Sequence, residues 1–174
     1  MGEPHTPGSG IHWDDAKRLT FIRTLNERLP TKRVIAQGVL RNEWGEVLLC
    51  ELTYKKEWDL PGGVVDPGES PAHCVERECR EELGLELPVK ELLTTSWLPP
   101  YRGWDDAIAF LFDLGVADSA LVESMTLQRR EIAAVHWCDA DAVATRTAEY
   151  AARLIVAALS GVAAYLEDGR VRRG

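Results

Sequence analysis

At 174 residues, with 45% hydrophobic and 28% charged residues, the chain has the size and make-up of one globular domain that buries a core without disulfide staples. Its formal charge of −8 speaks against a protein that coats duplex nucleic acid, since such binding rests on basic patches that release counterions. No apolar run approaches a membrane span, and the first residues lack a basic start followed by an apolar core, so neither membrane nor nucleic acid is an expected partner and the cytoplasm is the expected location.

Residues 1–12, rich in Gly, Pro and small polar groups, read as a flexible N-terminus. Leu19, Ile22, Leu25 and Leu29 then recur at helical spacing up to Pro30, which predicts an N-terminal helix over 13–30. Its apolar stripe either covers a core or pairs two copies as a homodimer. The β-rich runs Val34–Leu40 and Glu46–Leu52, separated by Arg41-Asn42-Glu43-Trp44-Gly45, predict a hairpin. A polar link with Lys55 and Lys56, placed to meet a phosphate or simply to be solvated, leads to Trp58-Asp59-Leu60-Pro61.

Gly62–Leu85 follows, GGVVDPGESPAHCVERECREELGL. Ser70 is a natural helix cap and Pro71 sits where a missing N–H costs nothing. Gly84 stands where a helix end needs a left-handed residue. Ala72, Val75, Cys79 and Leu83 fall on one apolar stripe, and at about 100° per residue Glu78, Glu81 and Glu82 crowd its flank. Like charges at this spacing weaken a helix by a few tenths of a kcal/mol per pair. Arg77 and Arg80 offset part of that; a hard divalent cation with oxygen ligands, Mg2+ or Mn2+, would offset more. The competing reading is a solvated acidic face.

Gly63, five residues, Glu69, seven residues, then Arg77-Glu78, an apolar residue, any residue, Glu81-Glu82, any residue, Gly84 and Leu85 resembles the signature box of the Nudix hydrolases at every fixed position. Average residue usage gives such a match about once in a billion starting points. The one departure is Cys79, where that family usually carries Leu or Ile. The resemblance implies metal ligands at Glu78, Glu81, Glu82 and the Gly62 carbonyl, with Glu81 or Glu82 sometimes the base, and a Glu69–Arg77 pair that orients the loop on the helix. It implies hydrolysis of a nucleoside diphosphate linked to another group. Bound cations would neutralise a pyrophosphate that otherwise repels both hydroxide and the carboxylates. It also implies a packing role for Trp58.

After the box, Val89–Ser96 and Ala107–Leu114 predict strands. The stretch joining them, Trp97-Leu98-Pro99-Pro100-Tyr101-Arg102-Gly103-Trp104, holds Trp97, Tyr101, Arg102 and Trp104 as substrate-binding candidates, suited to stacking a base and touching a phosphate; a stiff surface loop is the alternative. In the resembled family a Pro or a Tyr some fifteen to seventeen positions past the box goes with ADP-ribose or dinucleoside polyphosphate substrates. Pro100 and Tyr101 point both ways, and a nucleoside triphosphate or nucleotide sugar also stays open. Glu131, six residues before Trp137, resembles a family element that supplies another ligand or general base. A short and a longer helix are expected over Asp139–Leu159, then an extended piece with an Asp168-Gly169 turn.

Cys50, Cys74, Cys79 and Cys138 show no C-x-x-C pairing, so buried free thiols are expected. The fold class expected from the resemblance is α/β, a Nudix-type α/β/α sandwich with a mixed central sheet. The catalytic domain is expected at 31–166 and a C-terminal tail at 167–174. The expected partner is a small-molecule nucleotide, and the readings from other classes are a non-catalytic nucleotide-binding module and a plain structural domain.

Overall fold

The computed structural model describes residues 14–161 and 164–172. Helix α1 (Asp15–Arg28) starts where the Asp14 carboxylate accepts the Lys17 N–H at 2.8 Å and ends at Leu29, ahead of Pro30. It forms a unit by itself and none of its residues is buried. The flexible segment expected at 1–12 lies outside the described residues.

Runs of aliphatic and β-branched residues build the second unit around one sheet. Its strands are β1 (Arg33–Asn42), β2 (Val47–Leu52), β3 (Gly62–Val64), β4 (Glu91–Leu98), β5 (Ala107–Ala117), β6 (Ile132–Cys138), β7 (Tyr165–Glu167) and β8 (Arg170–Val171). The order is β6-β2-β1-β5-β4-β7-β8, with β3 also on β1. β1 runs parallel to β5 and β4 to β7, while the remaining pairs are antiparallel.

Alternation along the strands gives the sheet two apolar faces. On one, Ala36, Leu40, Leu48 and Phe112 pack on Val75, Cys79 and Leu83 of α2 (Pro71–Leu83). On the other, Val39, Leu49, Ala109 and Leu111 pack on Leu154 and Ile155 of α4 (Glu149–Ser160) and Val143 of α3 (Ala140–Arg146). This is the mixed-sheet sandwich that the sequence predicted. Truncating a fully buried member such as Leu83 to Ala costs about 2–5 kcal/mol.

β1 and β2 pair only at Arg41 and Val47 and then splay apart. Trp58–Val64 fills the wedge: Asp59 bridges to Cys50, the Gly38 N–H bonds the Pro61 carbonyl at 2.9 Å, and β3 pairs Gln37, Ala36 and Ile35 with Gly62, Gly63 and Val64. The wedge therefore delivers Gly62 and Gly63 beside α2.

One local reading changes, and the expected extended piece with the Asp168-Gly169 turn is present. Trp97 and Leu98 belong to β4, paired with Ile108 and Ala107, rather than to the loop after it. Residues 165–171 form a hairpin on the sheet edge, held because Arg153 of α4 bonds both the Asp168 carbonyl at 2.9 Å and its carboxylate at 2.6 Å. All four cysteines are free and buried, as expected. Among the described residues, no helix is long and apolar enough to cross a membrane.

Candidate active site

The rotation of α2 is fixed by its buried stripe and by both caps. Ser70 Oγ accepts the His73 N–H at 3.3 Å, and Gly84, left-handed at φ 70°, returns its N–H to the Arg80 carbonyl at 3.1 Å. That rotation grades the acids: Glu81 keeps 55% of its side chain exposed, Glu78 15%, and Glu82 as a residue 6%.

Arg77 is the electrostatic hub. Its Nε and Nη2 fork onto Glu69 at 2.9 and 3.1 Å, while Nη1 donates to Glu78 at 2.8 Å and to Glu81 at 3.1 Å. Glu69 also accepts the Asp66 N–H at 3.1 Å. The guanidinium hydrogen bonds hold the Glu69 carboxyl down at about 2. The loop Asp66–Ser70 is thus bolted to the helix by a bidentate pair, as the resemblance implied. Arg80 does not share this work: it turns outward and forks onto Glu86 at 2.5 and 3.0 Å.

Glu82 lies on the other side of the hub. Burial pushes its carboxyl up to about 8 against the bond that favours its charge, from the Gly62 N–H at 3.0 Å; the negative charges of Glu78, Asp59 and Glu131 raise it further. Burial raises Glu78 as well, Arg77 opposing it and Glu81 and Glu131 adding to it. Glu131, on the turn before β6, thus adds its negative charge to that around both box acids. Among the described residues no three acidic, His or Cys side chains converge as a ready cage, because Arg77 bridges Glu78 and Glu81 while Glu82 turns to Gly62.

Gly62 and Gly63 are needed for their missing side chains. Gly62 sits at φ 137°, and a Cβ there would run into the Ala36 carbonyl; a Cβ on Gly63 would run into the Glu78 carboxylate. It is the N–H of Gly62, turned to Glu82, that makes its contact with the acids.

The aromatic stretch only partly comes together. Tyr101 and Trp104 close a tight turn through reciprocal backbone bonds of 3.0 and 2.9 Å, with Arg102 and Gly103 at positive φ between them. Arg102 pairs with Glu57 at 2.9 Å and lies 5.1 Å from the Tyr101 ring centroid. Trp97, back on β4, commits its indole N–H to Asp106 at 2.9 Å and stands apart from this group in its bonding.

Sequence reasoning missed the neighbours that complete this side. Arg33 lies 4.6 Å from the Trp104 ring, and Tyr150, in the first turn of α4, meets Tyr101 edge-on at 5.6 Å. Asp59 accepts from Gln37 and from Lys55, each at 2.7 Å, which ties Lys55 to the wedge that carries Gly62. Only the placement of Asp59 just ahead of Leu-Pro-Gly-Gly signalled any of this. Trp58 is sandwiched, 4.1 Å from His136 at 8° and 4.9 Å from Arg146, which is the packing role the resemblance implied.

A NUDIX domain matches residues 31–159. A MutT-like protein of Streptomyces ambofaciens is 33% identical over 143 residues, 81% of this chain and 87% of that protein. An 8-oxo-dGTP diphosphatase of Haemophilus influenzae is 36% identical over 55 residues, 29% of this chain and 40% of that protein. Among solved structures, the NUDIX domain of Shewanella oneidensis NrtR, complexed with ADP ribose, superposes with a TM-score of 0.68 at 19% identity, over 87% of this chain and 100% of that one; at such identity it speaks for the fold alone. The box geometry and the match over most of the chain agree, and the chain belongs to the Nudix hydrolase family.

Proposed function

We propose that the chain is a divalent-metal-dependent pyrophosphohydrolase that cleaves a nucleoside diphosphate linked to another group. The observation that carries the reading is Glu82: a carboxyl with 6% exposure, raised to about 8, with Glu78 and Glu131 adding negative charge and, among the described residues, a single backbone N–H supporting its ionised form. A merely solvated acidic face has no reason to bury such a group. The donor set fits a hard cation, since it consists of carboxylate oxygens beside a glycine-lined backbone.

Glu78 and Glu82, with the more exposed Glu81, would hold Mg2+ or Mn2+. When bound, the cation supplies neutralisation of the pyrophosphate and a lowered pKa for the attacking water. Glu131, whose charge acts on these acids from the turn before β6, is the candidate proton acceptor. Arg77 orients Glu78 and Glu81 through its two Nη1 bonds and is itself held by Glu69. Displacing Arg77 from Glu78 as a cation arrives would leave the Glu69 fork intact.

For the group beyond the pyrophosphate, Tyr101 and Trp104, 43% and 62% exposed, offer stacking faces, with Tyr150, Arg33 and Arg102 around them. An exposed aromatic turn beside cations suits a nucleoside or sugar. The ADP ribose bound by the NrtR domain and the 8-oxo-dGTP diphosphatase name of the Haemophilus relative set the two classes to compare, nucleotide conjugates and nucleoside triphosphates. Buried free thiols accord with the cytoplasm.

The test is a Mg2+-dependent screen over nucleoside triphosphates, ADP-ribose, nucleotide sugars and dinucleoside polyphosphates, with products identified by mass. Cleavage between phosphorus atoms that is abolished by EDTA and by Glu82→Gln supports the reading. Tight binding without cleavage would replace it with a nucleotide-sensing module.

A further inference from the structure

We infer that Gln128 is a positioning residue that aims the Glu131 carboxylate at the box acids, so that the opposite loop and the end of α2 work as one piece. This rests on the assignment of Glu131 to the site. The chain from Thr126 to Glu131 is stitched to the last turn of α2: the Thr126 N–H bonds the Leu83 carbonyl and the Gln128 N–H bonds the Glu82 carbonyl, both at 2.9 Å. These carbonyls end a helix and lack helical partners of their own, so the loop takes the place of further helix and borrows its rigidity.

The turn then closes on itself. The N–H groups of Glu131 and Ile132 both bond the Gln128 carbonyl, at 3.0 and 2.9 Å, and Thr53 of the neighbouring segment grips the far side, its N–H on the Glu131 carbonyl at 2.9 Å and its hydroxyl on the Arg130 carbonyl at 2.6 Å. The backbone of Glu131 is therefore fixed from two directions. Its carboxylate is fixed by one bond among the described residues, from Gln128 Nε2 to Oε1 at 3.1 Å.

The other end of the same amide argues that this bond is the reason for the residue. Gln128 Oε1 is buried with no hydrogen-bond partner among the described residues. A side chain present only for packing would be apolar, since Met or Leu fills the space without stranding an acceptor. The stranded oxygen also dictates which way the amide faces. Turning it over would bury the NH2 group instead and set the oxygen against a carboxylate. Gln128 thus presents a donor to Glu131 in one orientation, at a place where its backbone already touches Glu82.

The experiment is a double-mutant cycle of Gln128→Met, which keeps length and removes the amide, with Glu131→Gln. It is read with the compound cleaved fastest in the screen above and, separately, as the Mn2+ dissociation constant without substrate. Gln128→Met alone is expected to lower kcat by about 10–100-fold, the usual effect of losing a group that orients a site residue, with KM and the metal-free melting temperature unchanged. In the Glu131→Gln background it is expected to change kcat less than twofold, because its target is gone. A full loss in both backgrounds, or none in either, overturns the inference. If Glu131→Gln itself leaves kcat and Mn2+ binding untouched, the assignment of Glu131 fails and takes the inference with it. If Glu131→Gln is impaired and Gln128→Met is not, the inference alone fails.

Discussion

Replacing Glu82 by Gln keeps the side chain's size and the oxygen that accepts the Gly62 N–H at 3.0 Å, and exchanges the ionisable oxygen for an uncharged NH2 group. Each tenfold change in proton affinity is worth about 1.4 kcal/mol. Raising the carboxyl from its usual 4.5 to about 8 therefore corresponds to about 5 kcal/mol that the ionised side chain costs the metal-free fold. Between about pH 4.5 and 8 the folded protein keeps a proton that the unfolded chain has released, so stability is greatest below this window and falls as pH rises through it.

Gln has no such window. It strands one amide donor, a cost of about 1–3 kcal/mol, which leaves the variant about 2–4 kcal/mol more stable than the parent near pH 9 in EDTA and slightly less stable near pH 5. Mg2+ at 100 times the parent's Kd should narrow the alkaline gap by about 1.3 kcal/mol, since it stabilises the parent by about 2.7 kcal/mol and a chain that binds tenfold more weakly by about 1.4 kcal/mol. Urea unfolding at both pH values, with EDTA and with Mg2+, reads all four quantities. A variant no more stable than the parent near pH 9 in EDTA would refute the argument that Glu82 is a buried charge awaiting a cation.

Glu69 carries the opposite sign. Held at about 2 by Arg77, it contributes stability that is present above about 4.5 and lost as pH falls towards 2, so Glu69→Gln should flatten the acid limb of the unfolding curve and, by loosening Arg77, weaken Mn2+ binding tenfold or more. Gly62→Ala forces a side chain to φ 137° and against the Ala36 carbonyl, and should cost at least about 2 kcal/mol in thermal unfolding. Trp104→Ala and Tyr101→Ala should raise KM for a nucleotide substrate several-fold with kcat nearly unchanged; an equal fall in kcat would place these rings in the chemistry instead.

The box helix was legible because its information is local. Ser70, Pro71 and Gly84 announce its ends, the apolar stripe announces its buried face, and together they set the acids on its flank. Pairings far apart in sequence were not. β3 is three residues long with two glycines, too short and too bare for any periodicity. Its existence follows from the splay between β1 and β2, which no residue pattern encodes. The same reason hid Tyr150 and Arg33, which reach the aromatic turn from a helix and a strand remote in the chain, and sent Arg80 to Glu86 when spacing alone matched it to the acids. Trp97 reads as part of the joining stretch, yet its partner Ile108 on β5 extends the strand through it.

The most direct test of the account is a Mn2+ titration of the purified chain without substrate, followed by the electron paramagnetic resonance signal of free Mn2+. The account predicts that the parent takes up the ion, that Glu78→Gln and Glu82→Gln each weaken uptake tenfold or more, and that Glu86→Gln, whose side chain pairs with Arg80 on the outer face, leaves it unchanged. Equal uptake by all four proteins, or none by the parent, would contradict it.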